Sequence, residues 1–142
     1  MFGTWQAWAL LSAGFAALTA IFAKIGVAQI GSDFATFIRT LVVIAALAGL
    51  LTALRGWQSP ATVPARTWLF LVLSGLATGA SWICYFRALK LGDAALVAPI
   101  DKLSVVLVAV FGVLFLGERL AAVNWLGIAL IAAGAILVAW KP

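Results

Sequence analysis

An aspartate and a lysine, Asp101 and Lys102, stand side by side shortly before twelve residues without a polar side chain, Val105 to Leu116. In so apolar a segment an acid and a base are costly to keep, and they mark a place where a proton or a charged solute can be exchanged. Lys24 and Arg39 lie in equally apolar stretches and complete the set of charges placed to act as a polar gate or coupling site with Asp101. Trp82, Tyr85 and Phe86 cover more than one face of a helix, so aromatic rings could wall a solute, Trp82 and Tyr85 first among them. Covalent chemistry has little to work with. There is no histidine and a single cysteine, Cys84, which excludes an internal disulfide and argues against a Cys/His metal site. No nucleophile stands beside a base, so neither an enzyme nor a cofactor is expected, and Cys84 reads as a small buried apolar residue.

The elements that must carry these residues follow from composition. Hydrophobic residues make up 66% of the 142, charged residues 9%, and mean hydropathy is +1.22, too little polar surface to cover a globule in water. The chain reads as an integral membrane protein, and since a bilayer core of about 30 Å takes roughly 20 apolar residues per helix, the length accommodates five spans in one all-α bundle. The formal net charge of +5 comes without any Lys/Arg cluster, so no nucleic-acid partner is expected. Met-Phe-Gly-Thr lacks the basic region of a cleaved signal peptide, and the first span is expected to stay as an anchor.

The spans are placed at about 5–27, 34–54, 68–89, 94–116 and 123–140. The first opens on Trp5 and Trp8 as interfacial anchors and carries Lys24 about 28 Å further on, within snorkelling reach of the far interface. The second is entered through Gly31-Ser32-Asp33, with Ser32 or Asp33 expected to cap it. It holds Arg39 about 8 Å inside, where the guanidinium either snorkels to headgroups or finds a partner. Pro60 and Pro64 mark the one long loop. The third span contains Gly75 and Gly79 in a GxxxG spacing, which reads as internal helix packing or a protomer contact, and the fifth contains Gly127 and Gly134 in heptad register, expected at a helix–helix seam. The fourth span has two readings. It runs from Ala94 with a kink at Pro99, or it begins at Pro99, which would put Asp101 in a first turn favourable to a carboxylate.

Alternating spans gather Lys24, Asp33, Arg39, Arg87, Lys90, Asp93, Asp101, Lys102 and Lys141 toward one membrane side, leaving Arg55, Arg66, Glu118 and Arg119 on the other. All bases counted, six face three; without the four inside helices (Lys24, Arg39, Arg87, Lys102), two face three. So small a bias permits insertion both ways, and with it an antiparallel homodimer.

The Ala-Leu-Lys-Leu-Gly-Asp-Ala turn at 88–94, the span-four Pro99, the Leu-Gly-Glu-Arg turn at 116–119 and Asn-Trp-Leu-Gly-Ile-Ala-Leu-Ile-Ala-Ala-Gly at 124–134 resemble the EamA domain of the drug/metabolite transporter superfamily. The resemblance covers the whole chain and is strongest from Tyr85 to Trp140. It implies half of a ten-helix inverted-repeat transporter, with the second half supplied by another copy, as in the related small multidrug resistance proteins. Those proteins use a glutamate in their first span, and no acid occurs in the first span here. With Lys24, Arg39, Arg87 and Lys102 in the layer of Asp101, the expected solute is anionic or zwitterionic. The reading is a secondary transporter, an exporter of small metabolites in a bacterial cytoplasmic (inner) membrane, working by alternating access as a homodimer among lipids. A titrating Asp101 would couple it to protons. The alternative is a non-transporting small membrane subunit or scaffold whose buried charges only specify packing.

Overall fold

The computed structural model describes residues 4–140. Lys141, counted above among the charges, and the Met-Phe-Gly start lie outside them. The described chain consists of helices α1 (Thr4–Gly26), α2 (Ser32–Ala53), α3 (Ala65–Leu91), α4 (Ala94–Asp101), α5 (Ser104–Leu116) and α6 (Ala122–Ala139), with one 3₁₀ turn at Pro60–Thr62. Five helical stretches, with 94–116 taken as one, are long and apolar enough to cross a membrane. A helix pairs its backbone polar groups within itself, which is what lipid demands of a spanning segment.

The fourth span follows the reading that starts at Ala94, with Pro99 inside the helix. Asp101 therefore ends α4 instead of opening a helix at Pro99, and the dipole advantage of a first turn does not apply to it. Proline offers no N–H to the ladder, and just beyond it the chain tightens. The Lys102 N–H donates to the Pro99 carbonyl at 3.1 Å, Leu103 to Ile100 at 3.0 Å, and Val105 to Lys102 at 3.0 Å. These three-residue steps separate α4 from α5 at Lys102 and Leu103, a short 3₁₀ passage of the kind found at helix hinges. Helix α5 then ends at Gly117, whose φ of 68° is the left-handed conformation that glycine adopts without strain. At the start of α6 the Asn124 side-chain carbonyl accepts the Ala121 N–H at 2.9 Å.

The chain divides into two compact units, residues 4–21 with 91–140, and Phe22–Lys90. In the first, α6 packs on α4 and α5, with Ala109 and Ala135 buried. Small side chains at those positions let the backbones approach. In the second, the buried residues are Ala23, Val27, Ala35, Thr36, Phe86 and Leu89. All of them lie where the end of α1, the start of α2 and the end of α3 meet. None of residues 41–81 is buried. This unit is thus packed at one end, and the rest of α2 and α3 carries its apolar side chains outward.

Within this chain the glycine pairs stand open. No atom lies within 4 Å of where a Cβ would stand on Gly75, Gly79, Gly127 or Gly134. They form no tight crossing in this chain, because its seams run instead through Ala109 and Ala135 and through Phe86 and Leu89.

Candidate functional site

The packed end of the Phe22–Lys90 unit is held by long side chains crossing between elements. Arg87 grips Asp33 with both prongs, Nε to Oδ1 at 3.0 Å and Nη2 to Oδ2 at 2.7 Å. Lys24 Nζ donates to the Leu89 carbonyl at 2.7 Å, and Lys90 Nζ to the Ile30 carbonyl at 2.7 Å. Leu89 is within the last turn of α3, where the helix leaves its carbonyls without an N–H, so a lysine there supplies the missing donor and complements the dipole. The clasp ties the turn between α1 and α2 to the end of α3.

The clasp bears on two expectations. Lys24 gives its ammonium to a backbone carbonyl, that of Leu89. The residue preceding α2 is Gly31 with no side-chain cap, because Asp33 turns to Arg87, a charge-assisted two-pronged bond stronger than a single backbone N–H. The Ser32 hydroxyl donates to Asp33 Oδ1 at 3.3 Å rather than capping. Both carboxylate and guanidinium are about 60% exposed (59% and 60%), so their pair orients the helices more than it stabilises them. The Lys24 contact is different, since Leu89 is fully buried. Lys24→Met is expected to lower stability by about 1–3 kcal/mol, the cost of a buried carbonyl left unpaired. Thermal unfolding in detergent measures this, and an unchanged midpoint would assign the lysine to surface charge.

Deeper in the same unit, Arg39 lies with its guanidinium carbon 3.9 Å from the centre of the Trp82 ring and 5.7 Å from that of Phe86. Among the described residues these ring faces are its contacts, with no hydrogen bond or ion pair. Tyr85 is within electrostatic reach of it. Arg39 is six residues along α2 from Asp33, and Trp82 five residues back along α3 from Arg87, about 9 Å and 7.5 Å at 1.5 Å per residue. The two side chains therefore meet at one level. Arg39 crosses sideways onto the rings of the neighbouring helix. A guanidinium at this distance from an indole gains a cation–π contact and has its plane held. The nearest hydroxyls on α2 offer it little. Thr36 donates to the Ser32 carbonyl at 2.9 Å and Thr40 to the Thr36 carbonyl at 2.8 Å.

In the other unit, Asp101 Oδ2 and Lys102 Nζ are 3.2 Å apart, with 36% and 56% of their side chains exposed. They sit at the α4–α5 break. Within this unit Lys102 is the base paired with Asp101. Cys84 is exposed, not buried as its composition suggested. Among the described residues no three His, Cys, Asp or Glu side chains gather as a metal site would require.

Sequence reading missed the roles of Asp33, Arg87 and Lys90. The available signal was their position: one acid in the first turn of α2 and two bases in the last five residues of α3. It did not say which base would take the acid.

Residues 3–140 match the EamA-like transporter family. A Sinorhizobium sp protein named "Uncharacterized transporter in cobO 3'region" is 70% identical over 136 residues, covering 96% of each chain. No solved structure matches.

Proposed function

Because this chain belongs to the EamA-like transporter family, we propose that it is a secondary transporter exporting small anionic or zwitterionic metabolites by alternating access, as a homodimer in a bacterial cytoplasmic membrane. The observation that carries this reading is Arg39, a permanent cation inside a membrane-spanning helix whose contacts are aromatic faces. A charge at such depth is expensive and is retained where a solute or ion answers it. Trp82 and Tyr85 wall the solute beside it. Asp101, at the break between α4 and α5, is the coupling residue that exchanges protons, and Lys102 holds its charge between exchanges.

Two features support a second copy. Residues 41–81 carry no buried position, so much of α2 and α3 is open to be covered. The near balance of loop charges allows the two copies to insert in opposite senses, the arrangement in which inverted repeats place a solute between them and rock around it. The clasp at one end of the Phe22–Lys90 unit leaves the other end as the moving part.

The test is flux through purified full-length protein in liposomes, with accessible tags at both termini to map orientation. Saturable movement of an organic anion and tags on both sides are expected. No flux of any solute from well-folded protein would favour a non-transporting subunit, and a single orientation would exclude the antiparallel pair.

A further inference from the structure

We infer that the solute is a monocarboxylate with an apolar body, recognised by the Arg39 fork on its Trp82 platform, and that neither a zwitterion nor a phosphate ester fits as well. The inference rests on the transport reading for its physiological meaning, but the binding chemistry stands on the Phe22–Lys90 unit alone. That unit contains six bases, Lys24, Arg39, Arg55, Arg66, Arg87 and Lys90, and one acid, Asp33. Lys24 and Lys90 are committed to backbone carbonyls and Arg87 to Asp33. Arg55 follows the end of α2 and Arg66 stands at the start of α3, both at the loop end of these helices. One cation, Arg39, is left within the span, and its interactions are with ring faces.

The charge count then selects the ligand. A single carboxylate neutralises a single guanidinium, whereas a phosphate monoester brings about 1.5 to 2 negative charges near pH 7 and leaves the excess in an apolar setting. The ammonium of a zwitterion has no acid to meet in this unit, because the carboxylate of Asp33 already holds Arg87 by two bonds. A quaternary cation is worse placed still: the Trp82 face that would attract it already carries Arg39. Geometry agrees with the count. The guanidinium carbon is over the Trp82 ring and no hydrogen bond among the described residues uses its N–H groups, and a planar carboxylate can accept two of them in parallel. The neighbours of Arg39 on α2, one turn either way, are Thr36, whose hydroxyl is spent on its own helix, and the apolar Val43. On the α2 side the remainder of the ligand therefore meets apolar side chains, and on the α3 side Tyr85 is the polar group within electrostatic reach.

Three probes with one phenyl body separate the possibilities: benzoate, phenyl phosphate and phenylalanine. Each is titrated against the full chain in nanodiscs with thermal stabilisation as the readout, beside counterflow in liposomes. Benzoate is expected to bind at least about tenfold more tightly than the other two, a difference of about 1.4 kcal/mol. Arg39→Gln is expected to remove benzoate binding. Arg39→Lys, which keeps the charge and loses the fork, should weaken it about tenfold. Unliganded melting of both variants checks that they fold. Phenyl phosphate or phenylalanine binding as well as benzoate, no benzoate binding by the unaltered chain, or benzoate binding unchanged in Arg39→Gln would each overturn the inference even if flux is observed. Benzoate binding through Arg39 without flux of any solute would uphold it and overturn the transport reading instead.

Discussion

Arg39→Gln is expected to reduce solute flux in liposomes by about 30- to 4,000-fold while leaving the protein inserted and no less stable. The first half of that expectation follows from the cost of deleting one partner of a desolvated, hydrogen-bonded charge pair, about 2–5 kcal/mol, at roughly tenfold per 1.4 kcal/mol. The second half follows from the unliganded state. There the guanidinium gains a cation–π contact with Trp82 and no countercharge, so removing it from an apolar span relieves a desolvation cost larger than the contact it loses. Lost function without lost stability is the pattern of a residue kept for binding. Asp33→Asn is the informative control. It removes an equally visible ion pair at the packed end of the same unit, and since that pair is largely exposed its loss should change flux by less than a few-fold. Were Arg39→Gln to melt much earlier than the unaltered chain and transport normally when folded, Arg39 would be a packing residue of α2 and α3 and nothing more.

Asp101→Asn is expected to abolish accumulation driven by a proton gradient while sparing solute counterflow at equal pH. Asparagine fills the same space and keeps a hydrogen-bonding side chain at the 3₁₀ passage, but it cannot gain or lose a proton. Separating the two assays matters because the passage is also where α4 gives way to α5 beyond Pro99. A change that merely damaged this joint would lower both. Lys102→Met supplies the complement. It leaves Asp101 without the ammonium 3.2 Å away, and it should impair gradient-driven accumulation more than counterflow. Gradient-driven accumulation unaffected by Asp101→Asn would show that the driving ion is carried elsewhere.

The spans themselves were legible because one physical quantity decides them. Twenty or so apolar residues in a row have no soluble alternative in this composition, and a helix is the conformation that satisfies their backbone in lipid. The turns were legible for a similar reason: Gly117 takes a left-handed φ that few other residues adopt cheaply, and Asn124 opens α6 with its side chain. So were the candidate charges, since a charge inside a span declares itself by its cost. Their partners were not. Lys24 and the Leu89 carbonyl are 65 residues apart in sequence, Asp33 and Arg87 54 apart, and a lysine or arginine reaches far enough to choose among several acceptors. Sequence favoured pairing Asp101 with any of three bases and capping α2 with Asp33; the fold gave Asp33 to Arg87 and Lys24 to a carbonyl.

Sequence alone therefore determined that this is a five-span membrane protein with a sparse set of intramembrane charges, because hydropathy and length act locally along the chain. Tertiary structure decided which of those charges are consumed in holding helices together and which one is left facing a ring. That distinction depends on the level at which α2 and α3 lie beside each other, a relation between segments that no single stretch of sequence contains. It is also what turned a general layer of basic residues into one cation, Arg39, held against Trp82.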